Sequence, residues 1–391
     1  MELLKRTWAE IDLDAITHNY EILRRGMQQN CRFLGVVKAD AYGHGAVQVS
    51  RHLQELGAEF LAVSNLEEAV QLRRGGQELP ILILGYTPPQ YAGMLAELGI
   101  RQEINCLEYG LQLAHELEGT GQRLCVHLKI DTGMSRLGFS VCDRPETLDE
   151  LAELCRNPAF QVEGVFTHFA VADSYEQKNQ DFTALQFMRF RTVIDELDAM
   201  GMRPEICHCC NSAATILHPE YHLDMVRPGI ATYGMTPDVS IKGSADLRPA
   251  MSLRSTIAQI KPFRKDVSVS YGRTYFTDSP RTIAVVPLGY ADGYPRLLSG
   301  NRSFLLHGKY VPQVGRVCMD MCMLDITQVP DARVGDIVTV FGRDGEEETS
   351  LDDIAIQMGT ISYELLCAVS KRVPRLYFQG NKMVNIMQYI V

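Results

Sequence analysis

The 391-residue chain is 46% hydrophobic and 22% charged, the composition of a globular protein with room for one large domain and a smaller one. Its formal charge of -10 argues against nucleic acid or an anionic membrane as partner, since either needs a basic face to release counterions. No run of about 18 apolar residues occurs, and the opening MELLKRTWAEIDLD is not a positive-tipped apolar leader, so the chain is expected in the cytoplasm.

In chain order, short apolar runs recur through the first 235 residues: FLGVV at 33, FLAV at 60, ILIL at 81, QEINC at 102, LCVHLKI at 124, VEGVF at 162, EICHCC at 205 and HLDMVR at 222. Between them lie segments with helical spacing, among them ITHNYEILRRGM, VQVSRHLQELG, LEEAVQLRRGG, YAGMLAELG and FTALQFMRFRTVIDELDAMG. Ser64 with Glu67 three residues later is expected to cap one of these helices. Eight strand-loop-helix units with near-continuous apolar strands predict an α/β fold with an N-terminal (β/α)8 barrel over residues 1–245. An open doubly wound sheet is the alternative. From 246 to 391 the pattern changes to alternating runs broken by Gly, Pro and Asp turns, which predicts a mainly antiparallel β C-terminal domain. One helical stretch, LDDIAIQMGTISYELLCAVS, sits near its end.

The cysteines number eleven and are scattered, so reduced thiols are expected. The cluster CHCC at 207–210 lacks a second ligand pair at finger-like spacing, and buried strand cysteines are expected there with no metal.

Barrel chemistry belongs at the C-terminal ends of the strands. There the sequence places Lys38 after the first run, Lys129 and Arg136 in and after the fifth, His168 after the sixth, Asn211 and Ser212 after the seventh, and Arg227 and Gly229 after the eighth. Any one of these alone reads as solvated or structural; their convergence on one rim does not. The loops after strands seven and eight suit a phosphate, with the Ser212 hydroxyl and the backbone N–H groups around Gly229 and Ile230. A lysine on the same rim could form a Schiff base with an aldehyde, and the cofactor that joins aldehyde to phosphate is pyridoxal 5'-phosphate. Neither GxxxxGK[ST] nor a convincing GxGxxG after a strand is present.

The segments VVKADAYGHGA, KIDTGMSRLGF, THFA, NSAA, RPGI, VSYGRTY, PLGYADGY, GRVCMDM and ISYELLC occur in this order along the chain. In them the chain resembles bacterial alanine racemase, a fold-type III PLP enzyme. The resemblance implies interconversion of L- and D-alanine by two bases, D-alanine supply for peptidoglycan, and a homodimer in which the C-terminal domain completes the partner subunit's site. It makes Lys38 the covalent cofactor anchor and one base, and Tyr271, from the second subunit, the opposing base. An ordinary phenol is a poor base at neutral pH, so cations must stand close; the resemblance has His168 bridge Tyr271 to Arg227, with Arg227 facing the pyridine nitrogen. It further implies that Arg136 contacts the cofactor's phenolic oxygen and the substrate carboxylate, that Lys129 carries a carbamate in some relatives, and that Tyr42, Ser212, Gly229, Ile230 and Tyr363 contact phosphate. Met319 would meet the substrate carboxylate through its backbone N–H, and Asp320, Tyr275 and Tyr290 would line the way in.

Three other readings compete. A decarboxylase of the same architecture places an acid at the pyridine nitrogen, where this chain offers Arg227. A non-catalytic PLP carrier would have no use for VSYGRTY or GRVCMDM. A serine racemase differs by one substrate hydroxyl, which a small pocket rejects only weakly, but relatives of that kind carry a smaller polar residue at the Tyr363 position.

Overall fold

The computed structural model of the chain describes residues 6–142 and 146–390, so the expected domain limits at residues 1 and 391 lie outside the described residues. It divides into two compact units, one of residues 17–41 and 46–248, the other of 1–16, 42–45 and 249–391.

In the unit of residues 17–41 and 46–248, all eight expected runs are strands: Arg32–Val36, Phe60–Val63, Ile81–Ile83, Ile100–Ile104, Leu124–Asp131, Phe160–Phe166, Ile206–His208 and Met225–Val226. They pair in parallel in sequence order, and Met225–Val226 returns to pair with Arg32–Val36. The last gap is bridged by two backbone bonds, Asp224 N–H to Cys207 C=O at 3.1 Å and Arg227 N–H to Cys210 C=O at 2.9 Å. The result is a nearly closed barrel, not the open sheet. Its strands are buried on both faces, Leu61, Ala62 and Val63 among them at 0% exposure, which is why they read as continuous apolar runs.

Helices Leu13–Gly26, Ala46–Leu56, Leu66–Arg74, Ala92–Glu97 and Gln177–Ala199 occupy the segments with helical spacing, and Leu107–Glu116 and Thr147–Arg156 are helices the spacing did not single out. The expected Ser64–Glu67 cap is displaced by one residue. Asn65 is the N-cap and accepts from Glu68 N–H at 2.9 Å, while the Glu68 carboxylate accepts from Ser64 N–H at 2.8 Å. The reciprocal logic holds, but asparagine outcompetes the neighbouring serine.

In the other unit the sheet is mainly antiparallel, and its membership departs from a boundary at 245/246. Strand Thr7–Asp12 pairs antiparallel with Met251–Thr256 and parallel with Arg375–Gln379. Its TWAEID sequence, buried from Thr7 to Ala9 and at Ile11, fits that sheet as well as any barrel strand, so composition could not assign it. The single expected helix near the end is two, Leu351–Met358 and Ser362–Ala368. Gly359 separates them at φ 68°, a left-handed C-cap that glycine takes without a Cβ clash. Among the described residues no helix is long and apolar enough to cross a membrane.

Candidate active site

Lys38 follows strand Arg32–Val36, whose end is fixed by Val37 N–H donating to Ala62 C=O at 2.8 Å and by the Tyr233 hydroxyl donating to Val36 C=O at 2.9 Å. The next four residues turn left-handed: Ala39, Asp40, Ala41 and Tyr42 have φ between 52° and 55°. None is glycine, and each such residue costs about 1–2 kcal/mol. Local bonds hold the turn, with Ala41 N–H to Val37 C=O at 2.8 Å, Ala46 N–H to the Asp40 carboxylate at 2.9 Å and Ala39 N–H to the Glu68 carboxylate at 2.7 Å. Strain concentrated beside one lysine marks a position fixed for function rather than for stability. Ala39 is exposed, and Ala39→Gly keeps its N–H while removing the Cβ penalty. After the larger unfolded-state entropy of glycine is set against that gain, the variant is expected to be about 0.5–1 kcal/mol more stable, read as a higher urea midpoint with an unchanged slope. A midpoint at or below the wild type would contradict the strain.

The loop KIDTGMSRLG after the fifth strand is shaped by Asp131, whose carboxylate accepts from Gly133 N–H at 2.9 Å and Ser135 N–H at 3.0 Å. It carries exposed Arg136. Lys129 lies within the strand before it and is 5% exposed. Burial lowers its pKa, Glu103 raises it, and Arg136 and Arg227 lower it.

Arg227, after the eighth strand, is 4% exposed. It donates to Thr167 C=O at 2.7 Å, Cys209 C=O at 3.0 Å and His208 Nδ1 at 2.8 Å, and lies 3.4 Å from His168 Nδ1. Burial lowers its pKa to about 10, still well above neutral. His168 is half-buried as a residue, and burial together with the charges of Arg227, Arg136, Lys129 and Lys38 pushes its pKa well below the usual histidine range. It is therefore neutral at physiological pH.

Behind Arg227 runs a buried column that the sequence reading missed. His208 Nε2 meets His127 Nδ1 at 2.9 Å, His127 Nε2 meets Glu163 at 3.2 Å, and Glu163 takes two bonds from Arg101 at 3.1 and 3.2 Å. Since Arg227 can only donate, His208 Nδ1 must accept, which makes His208 Nε2 and then His127 Nε2 the protonated nitrogens. Burial lowers the pKa of both histidines, and His208 stacks on Phe166 with centroids 4.9 Å apart. The only signal was a histidine at an inward position in each of LCVHLKI and EICHCC.

The loops after strands seven and eight come together at Ser212, whose hydroxyl accepts from Gly229 N–H at 2.8 Å and Ala231 N–H at 3.3 Å. Ile230, between them, is 1% exposed. Cys209 and Cys210 donate to Tyr221 C=O at 3.1 and 3.2 Å, and burial raises the Cys210 thiol pKa. Among the described residues no three His, Cys, Asp or Glu side chains are grouped to hold a metal.

The remaining candidates lie in the unit with the antiparallel sheet. Tyr42 and Tyr363 meet edge to face, centroids 5.9 Å apart. Tyr271 stands in the turn Tyr271–Arg273 and is 68% exposed. It lines a shallow depression with Met319 and Asp320. The Met319 loop is braced by Tyr290 N–H to Cys318 C=O at 3.1 Å and Ala291 N–H to Met319 C=O at 3.0 Å; a Cβ on Gly289 would fall 2.2 Å from Met319 C=O, so only glycine admits the approach. Asp320 pairs with Arg372 at 2.9 Å. Tyr275 is not among the residues lining that depression: burial raises its phenol, which bonds the Asp325 carboxylate.

A parallel barrel with a lysine, a buried arginine and a neutral histidine at its strand ends is the framework of a barrel enzyme. Residues 11–237 match the family model of the alanine racemase N-terminal domain, and residues 250–377 that of the C-terminal domain. Alanine racemase 2 of Caldanaerobacter subterraneus subsp. tengcongensis is 41% identical over 387 residues, 99% of this chain and 98% of that protein. The alanine racemase of Desulforamulus reducens is 43% identical over 371 residues, 95% of this chain and 98% of that protein. Among solved structures, alanine racemase of Clostridium difficile 630 has a TM-score of 0.95 at 39% identity, with 100% of both chains covered. That of Bacillus anthracis with bound L-Ala-P has 0.93 at 36%, covering 100% of this chain and 99% of the other. The chain belongs to the alanine racemase family.

Proposed function

We propose that the chain interconverts L- and D-alanine with pyridoxal 5'-phosphate, as a cytoplasmic homodimer that supplies D-alanine for peptidoglycan. The observation that carries this reading is Arg227. Its hydrogen-bond partners are two carbonyls and the imidazoles of His208 and His168, so the rim presents a guanidinium where a decarboxylase needs an acid.

The residues present fit the cofactor. Lys38 stands at a strand end on a rigid turn, and the Ser212 hydroxyl draws the Gly229–Ala231 backbone into a small polar cradle suited to phosphate. Lys38, Tyr42, Ser212, Arg227, Gly229, Ile230 and Tyr363 would hold it. When bound, pyridoxal phosphate supplies an aldehyde for the substrate amine and a ring that withdraws electrons from Cα. Arg227, which keeps its proton at neutral pH, would leave the pyridine nitrogen without one and so moderate that withdrawal. Arg136 binds the substrate carboxylate with its planar fork, aided by the Met319 backbone N–H. Lys38 takes or returns the α-proton on one face; Tyr271 of a second copy does so on the other, with neutral His168 linking it to Arg227. Asp320 would line the approach, with Tyr275 and Tyr290 flanking it outside the depression.

The test is visible absorbance of the covalently bound cofactor, followed by deuterium wash-in at Cα of L-alanine, D-alanine and serine. Exchange with both alanine enantiomers and little with serine is the expected result. Release of CO₂, or cofactor binding without exchange, overturns the assignment.

A further inference from the structure

Glu103 has no part in the mechanism above and no motif announces it. It lies in strand Ile100–Ile104 with 0% exposure. One oxygen accepts from Asn105 Nδ2 at 2.9 Å; the other, Oε2, has no hydrogen-bond partner among the described residues and faces Lys129 Nζ at 4.0 Å. Lys129 Nζ also sits 5.4 Å over the Phe166 ring. A buried carboxylate with one bare oxygen is unfavourable unless cations face it, and the two whose charge reaches it are Lys129 and Arg136.

We infer that Glu103 is a positioning residue: its carboxylate is the built-in anion that keeps Lys129 an unmodified ammonium and orients Arg136 toward the substrate. A carbamate on Lys129 would put a second anion within reach of the bare Oε2, and two such anions in one buried site repel until one is protonated. The ammonium that Glu103 favours has no lone pair with which to attack CO₂. Burial works against both charges, raising the Glu103 pKa and lowering that of Lys129, while each partner opposes that shift in the other. A carbamate at the matching lysine of relatives would supply from CO₂ the anion that this chain supplies from Glu103 in the fourth strand.

The role in orienting Arg136 rests on the reading that Arg136 binds the substrate carboxylate, but the first measurement does not. Holoenzyme equilibrated with isotope-labelled bicarbonate is examined by intact mass and carbon NMR. Wild type is expected to show no carbamate. Glu103→Thr is expected to gain one: neutral Nζ of Lys129 attacks CO₂, an N–C bond forms, a C–O π pair moves to oxygen, and the nitrogen's proton leaves to buffer. The double variant with Lys129→Ala should lose that label. In bicarbonate-free buffer, Glu103→Thr should raise KM for alanine roughly 10-fold or more with a smaller fall in kcat, and added bicarbonate should restore it, which a merely structural defect would not allow. A labelled carbamate on wild-type Lys129 overturns the inference even if no variant folds. A folded Glu103→Thr with neither label nor altered KM overturns it as well. Should racemisation itself be absent, the labelling still decides the state of Lys129.

Discussion

Lys38→Ala is expected to fold, to lose the visible absorbance of bound cofactor, and to fall roughly 10⁴-fold or more in Cα exchange. Folding survives because the turn keeps the bonds made by the backbone of Val37 and Ala41 and by the carboxylates of Asp40 and Glu68. Activity does not survive, because one side chain is both covalent anchor and base. The rival anchor on the rim is Lys129, and its surroundings make it a poor one. It is 5% exposed and faces Glu103 at 4.0 Å, so its amine is committed to an ion pair. Absorbance retained by Lys38→Ala and lost by Lys129→Ala would exchange these two assignments. Added methylamine gives a further check, since a small external amine can carry a proton to Cα but cannot restore the covalent tether.

The sequence disclosed the barrel because its strands are buried on both faces and so spell their positions as apolar runs, with FLAV at 60–63 becoming a strand without a single exposed residue. It disclosed Lys38 and Arg227 because several charged and polar residues follow different strands and so converge on one rim, where either of the two alone would read as solvated. Other features were hidden for physical reasons. Strand Thr7–Asp12 could have served either sheet, and only long-range pairing with Met251–Thr256 decides. Four consecutive left-handed residues after Lys38 cannot be read from ADAY, because alanine and tyrosine carry no propensity for that region. His127, His208, Glu163 and Glu103 are polar letters inside strands, Glu103 within the polar run of IRQEI, and their meaning depends on which strands are neighbours in the barrel. Parallel order brings Glu103, in Ile100–Ile104, beside Lys129, in Leu124–Asp131, and the pairing of Ile104 with Leu128 sets the register that lets them meet.

Tyr271→Phe is expected to keep the cofactor's absorbance and the fold, since the side chain is 68% exposed and loses only its hydroxyl. Overall racemisation should fall by roughly 10²- to 10⁴-fold, and equally in both directions, because the two enantiomers have the same free energy. Deuterium wash-in at Cα separates the bases: the enantiomer whose α-proton faces Lys38 should still exchange, and the other should exchange far less. Equal loss of wash-in from both would exclude two bases with divided duties. Subunit mixing tests where Tyr271 acts. A dimer of one Lys38→Ala subunit and one Tyr271→Phe subunit has, when tyrosine serves the partner's site, one site with both bases and one with neither. Random mixing of the two inactive proteins should then restore about a quarter of the wild-type rate. If Tyr271 served its own subunit, every site in the mixed dimer would lack one base and no activity would return.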